Sequence, residues 1–95
     1  MREGARRRCG PLEFISRTSE TSSPRAGIIV PRYGRTNVER NRLKRRLRAL
    51  VRSDWLPEAR SRGLETDVLV RARPEAYERT LDQLRAAFSS WESAA

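Results

Sequence analysis

The sequence predicts an α+β fold, a small sandwich in which helices pack against a sheet. Three observations point there. Val68-Leu69-Val70, inside Asp67 to Arg73, is an aliphatic, β-branched run that reads as a strand. Tyr77, Leu81, Leu84, Phe88 and Trp91 recur at helical intervals and form one apolar stripe. Arg40 to Leu50 combines a second apolar stripe with six cations. A chain of 95 residues has room for one domain spanning 1–95 and no internal repeat is visible.

The elements follow in order. Residues 1–10, MREGARRRCG, are basic and aperiodic and read as an irregular segment. Leu12 to Ser16 suits a short strand, and the Ser/Thr-rich stretch 16–25 a loop. Ala26 to Val30 becomes β-branched and stops at Pro31, which reads as a strand, and Tyr33-Gly34-Arg35 as a turn. Thr36 and Glu39 have the spacing of a capping box, so a helix is expected over 36–55, with Pro57 stopping it or marking a second short turn. Arg60 to Glu65, with Gly63, is a connection; the last helix is expected over 74–91, opened by Pro74 and Glu75.

On a helical wheel Leu43, Leu47, Leu50 and Val51 fall within an arc of roughly 100°. Asn41, Lys44, Arg45, Arg48 and Arg52 occupy a neighbouring arc, and Arg42 and Arg46 the opposite flank. One face can enter a core while the rest presents a cationic surface suited to closely spaced phosphates. Arg40 lies about 60° from Leu43, at the edge of the apolar face, where it can anchor the helix start.

Charge supports a polyanion partner. The formal net charge is +9, with 21 Lys+Arg against 12 Asp+Glu. Residues 1–53 carry +11 and residues 54–95 carry −2, so the anion site belongs to the first half. All cations but Lys44 are arginine; codon bias accounts for that ratio but not for the clustering. One cysteine, Cys9, and no histidine exclude an internal disulfide, a Cys/His zinc site and histidine-based catalysis. Cys9 reads as a free thiol without a role. Asp54, Glu58, Glu65 and Asp67 show no recognisable metal-ligand spacing, which speaks against a protein nuclease. No apolar stretch is long enough to span a membrane and no secretory signal is visible, so a cytoplasmic location is expected. Pro24, Gly27, Pro31 and Gly34 leave no room for the first helix of a helix-turn-helix, so DNA is not the expected partner.

Arg40-Asn41-Arg42-Leu43-Lys44-Arg45-Arg46-Leu47-Arg48, followed by Arg52, resembles the RNR motif of the bacterial ribonuclease P protein component. Arg25 to Gly34 resembles that family's arginine-any-glycine strand and basic turn, and Asp67 to Pro74 its last strand. The resemblance spans about residues 10–91 and is dense in 25–74. It implies the order αβββαβα around a mixed sheet, with a left-handed crossover between parallel strands. It also implies a subunit that assists a catalytic RNA in cutting the 5′ leader from precursor tRNA. The chemistry and its Mg²⁺ then belong to the RNA–protein holoenzyme, with no cofactor bound by the protein. Carried over by position, Arg40, Asn41, Arg42, Lys44, Arg45, Arg48 and Arg52 become RNA contacts, with Arg25 on the adjoining strand.

Phe14 and Tyr33 are candidates to stack on leader bases; the alternative makes Phe14 core and Tyr33 a turn residue. The stretch from Gly34 to Arg40 is one residue longer than the commonest family spacing. The family's first helix, one wall of its leader cleft, has no counterpart in the sequence: either Met1 is a misassigned start, which is the expected cause, or this is a shortened form with a weakened leader site. The rival reading is a ribosomal or other structural rRNA-binding protein, which needs the same surface chemistry.

Overall fold

The computed structural model describes residues 5–18, 24–63 and 65–94, with the side chains of Ala5 and Ala94 outside the description. Strands β1 (Ala5–Cys9), β2 (Leu12–Thr18) and β3 (Arg25–Ile29) precede helix α1 (Asn37–Leu50). A π-helical turn, Val51–Trp55, leads into α2 (Leu56–Ser61). Strand β4 (Thr66–Ala72), a 3-10 turn (Pro74–Glu78) and helix α3 (Leu81–Ala94) complete the order. The sheet runs β1-β2-β4-β3, with β3 parallel to β4 and the other pairs antiparallel. The mixed α+β architecture matches the expected class.

Strand alternation sorts the sheet into two faces. Leu12, Phe14, Val68, Val70 and Ala72 are buried against Leu43, Leu47 and Leu50 of α1 and Leu84, Phe88 and Trp91 of α3. Phe14 stacks on Trp91 at 4.6 Å and meets Phe88 edge-on at 5.1 Å. Such aromatic pairs add about 0.5–1.5 kcal/mol beyond their area burial.

Three expectations need correction. Residues 5–9 are not irregular: they form β1, paired with β2 from Ala5↔Ser16 to Cys9↔Leu12. Arg6-Arg7-Arg8 has no apolar alternation, so pairing across the Gly10-Pro11 turn, with Gly10 at φ 59°, defines the strand. The helix expected to end near residue 55 continues to Ser61. The amide of Leu56 donates to Val51 O, five residues back. This wider turn relieves the clash of the Pro57 ring with the preceding turn, so the proline bends the bonding pattern without ending the helix.

The final helix is also broken. Pro74–Glu78 is 3-10, Arg79 is extended, and α3 begins behind Thr80. Thr80 and Gln83 form a second reciprocal cap, Gln83 N to Thr80 Oγ1 at 3.2 Å and Thr80 N to Gln83 Oε1 at 2.9 Å. Tyr77 therefore leaves the apolar stripe, and Leu81 is 38% exposed.

Candidate nucleic-acid interface

Helix α1 starts at the expected box. Glu39 N donates to Thr36 Oγ1 at 3.1 Å, and Thr36 N donates to Glu39 Oε1 at 3.0 Å. The Thr36 amide and hydroxyl, both donating to Glu39 Oε1, and the neighbouring Arg35 hold the Glu39 carboxyl below its ordinary pKa. With the leucines buried, Asn41, Arg42, Arg45, Arg48 and Arg52 are exposed and Lys44 is half-buried. Among the described residues, none of these six side chains makes a hydrogen bond or ion pair with another protein group. Cations left without carboxylate partners keep their charge for an external anion.

Two members of the cationic run are turned inward. Arg40 Nε donates to Val30 O at 2.7 Å, and Arg46 Nη1 to Arg79 O at 3.2 Å. Arg35 lies 5.1 Å from the centre of the Tyr77 ring and pairs with Glu78 at 3.0 Å and Glu39 at 3.4 Å. Arg25 lies on β3, away from α1, and makes a bidentate pair with Asp67 at 3.1 and 2.8 Å.

The sheet face opposite the core is a second surface. Register places Arg8, Glu13, Arg71 and Ile29 in one row, Arg6, Ile15, Leu69 and Gly27 in the next, and Arg17, Asp67 and Arg25 in a third. A middle row that is apolar except for Arg6 at its β1 end thus runs between rows that carry most of the charge. Leu69 and Ile29 are each 38% exposed. A groove of about 640 Å³ is floored by Ile15, Gly27 and Leu69 and rimmed by Arg17, Arg25 and Asp67. A Cβ on Gly27 would sit 2.8 Å from Leu69 Cδ1, so the glycine keeps this groove open.

Phe14 does not belong to this surface. It is fully buried on the helix side, where no base can reach it without unfolding the core. The alternation Leu12-Phe14 against Glu13-Ile15-Arg17 was the available signal for its inward direction. Tyr33 is 43% exposed at φ 51°, and its hydroxyl donates to Ala72 O at 3.1 Å. It is a turn residue with a tethered ring. The rows on β2 and β4, including Arg17, Leu69 and Arg71, were not singled out from the sequence because only pairing across strands assembles them.

No helix among the described residues is long and apolar enough to cross a membrane. No curated protein matches the chain. Solved structures do. The Staphylococcus aureus RNase P protein aligns over 92% of this chain and 76% of its own, at 24% identity and TM-score 0.75. The Thermotoga maritima RNase P protein in complex with 1-(4-fluorophenyl)-2-thiourea aligns over 93% of this chain and 82% of its own, at 22% identity and TM-score 0.73. These likenesses establish the fold. A family model, Ribonuclease P, matches residues 1–94, which takes in the whole sheet and the cationic helix together, and the chain belongs to that family as a ribonuclease P protein component.

Proposed function

We propose that this subunit binds the catalytic RNA of ribonuclease P through α1 and supports endonucleolytic removal of the 5′ leader from precursor tRNA. The observation that carries the reading is the outward face of α1. Asn41, Arg42, Lys44, Arg45, Arg48 and Arg52 present one amide and five cations that no carboxylate of the described residues neutralises. Each phosphate so neutralised releases condensed counterions, which favours RNA docking most at low salt.

The open sheet face supplies the place for a single-stranded leader. Ile15 and Leu69 of its middle row can lie under bases while Arg6, at the β1 end of that row, and Arg8, Arg17 and Arg71 in the flanking rows follow the backbone. Arg25 adds a cation whose geometry Asp67 fixes. Tyr33 stands outside this groove, at the turn before α1, and in this reading contributes to the fold.

The chain's own side chains do not carry the hydrolysis. Asp67 is gripped by Arg25, and Asp54 by Arg85 at 2.9 Å, so these carboxylates do not fit the open oxygen site that a catalytic Mg²⁺ needs. Mg²⁺ and the cut belong to the RNA; the protein screens repulsion between RNA strands and holds leader and RNA together. The test is cleavage of precursor tRNA by RNA alone, protein alone and both, across a Mg²⁺ titration. The complex is expected to reach half-maximal cleavage at lower Mg²⁺ than RNA alone. Cleavage by protein freed of RNA would refute the assignment.

A further inference from the structure

Beside the Arg35 pairs to Glu39 and Glu78, three side-chain bonds to backbone carbonyls tie down the segment joining β3 to α1, and none of them is on the cationic surface. Arg40 Nε donates to Val30 O at 2.7 Å, and the Tyr77 hydroxyl donates to Pro31 O at 2.6 Å. The Tyr33 hydroxyl holds Ala72 O at the end of the neighbouring strand. Val30 and Pro31 lie just past the last paired residue of β3, where the ladder offers their carbonyls no partner. Tyr33 and Gly34, which follow, both have positive φ, at 51° and 81°. The chain therefore reverses sharply between sheet and helix; a backbone bond from Arg35 N to Arg32 O at 2.8 Å closes the turn, and the side-chain bonds tie it to the helix and the sheet.

We propose that Arg40 and Tyr77 are positioning residues that fix α1 against the sheet, so that catalytic RNA on the helix and leader on the open face are held in one geometry. Arg40, although it lies inside the cationic run, serves this clamp and not the phosphate backbone. The proposal rests on the two-surface reading above. Its chemistry is specific. The Nε of arginine and the amide nitrogen of glutamine stand the same number of bonds from Cα, so Arg40→Gln retains a donor toward Val30 O and loses the charge. Arg40→Met has similar length with neither. Tyr77→Phe removes the other donor and leaves every cation in place.

The experiment measures binding of the catalytic RNA as a function of salt, and then binding of leader-bearing and leaderless tRNA by each reconstituted holoenzyme. Arg45→Ala is the control for a phosphate contact, with a slope of log K against log salt smaller by about 0.7–0.9. Arg40→Gln is expected to keep the wild-type slope and the wild-type preference for leader. Arg40→Met and Tyr77→Phe are expected to keep the slope and lose about fivefold of the preference, the worth of one hydrogen bond of typical strength. A slope reduced in Arg40→Gln as in Arg45→Ala would make Arg40 an RNA contact and overturn the proposal. Unchanged leader preference in Arg40→Met and Tyr77→Phe would also overturn it. Should Arg40→Met fail to fold, Arg40→Gln and Tyr77→Phe decide alone. A wild-type holoenzyme with no leader preference would refute the sheet-face reading instead; the slopes of Arg40→Gln and Arg45→Ala would still assign Arg40.

Discussion

Replacing Lys44, Arg45 and Arg48 together by alanine removes three cations from the centre of the α1 surface while leaving the protein's interior untouched. The three side chains lie off the buried Leu43/Leu47/Leu50 face and make no hydrogen bond or ion pair with a described protein group. Alanine has the highest helix propensity, so α1 itself is not weakened. The thermal midpoint should therefore stay within a few degrees of wild type. The effect on RNA binding should be large. Three lost phosphate contacts reduce the slope of log K against log salt by about 2–2.7. At 0.1 M salt the same counterion term corresponds to roughly 3–4 kcal/mol, or about a 100- to 500-fold loss of affinity. Filter binding or fluorescence titration of the catalytic RNA from 50 to 400 mM salt (about an eightfold range, wide enough to resolve one contact) gives the slope. Circular dichroism checks the fold. A native spectrum with an unchanged slope would mean that these cations are only a solvated helix face, and the interface reading would fail.

Other outcomes follow from single positions. Phe14→Ala should cost about 3–5 kcal/mol, because the ring is fully buried between Phe88 and Trp91; chemical denaturation measures it, and a change under 1 kcal/mol would contradict the packing. Gly27→Val should fill the groove beside Leu69 and weaken binding of leader-bearing but not leaderless tRNA, with little change in melting temperature, since the crowded Leu69 Cδ1 is the end of a flexible side chain. Equal affinity for both substrates, at the wild-type values, would move the leader elsewhere.

Glu92 has a pKa raised by burial and by the nearby Glu58 and Asp54 carboxylates. Its charged form is thus disfavoured in the fold relative to the unfolded chain, and stability at this site rises as pH falls through the folded value. Glu92→Gln should raise the melting temperature at pH 7, and the gain should vanish in acid, below both the folded and unfolded pKa values. A gain that persists there would point to packing. Glu39 has the opposite sign: its lowered pKa contributes stability above the ordinary carboxyl range that is lost as pH falls through the folded value. Glu39→Gln, which retains the cap's hydrogen-bond acceptor, should flatten the acid side of a stability–pH curve.

The sequence by itself determined what local periodicity and chemistry can encode. The capping box at Thr36 and Glu39, the buried leucine stripe of α1 and the outward cations beside it are consequences of 3.6 residues per turn, and they appear where the pattern places them. The strand at Val68-Leu69-Val70 and the turn at Tyr33-Gly34 were legible for the same reason, each being a property of a few adjacent residues. What depends on distant partners was not. Arg6-Arg7-Arg8 became a strand only because β2 offered it a ladder, and the helix passed Pro57 only because a wider turn absorbed the ring. Tyr77 reads as one more residue of an apolar stripe until Thr80 caps α3 behind it and turns its hydroxyl to Pro31. The charges of Arg40 and Arg45 are indistinguishable in the sequence. Tertiary structure separated them, because Arg40 faces a carbonyl at a strand end that lacks a ladder partner, and Arg45 faces water.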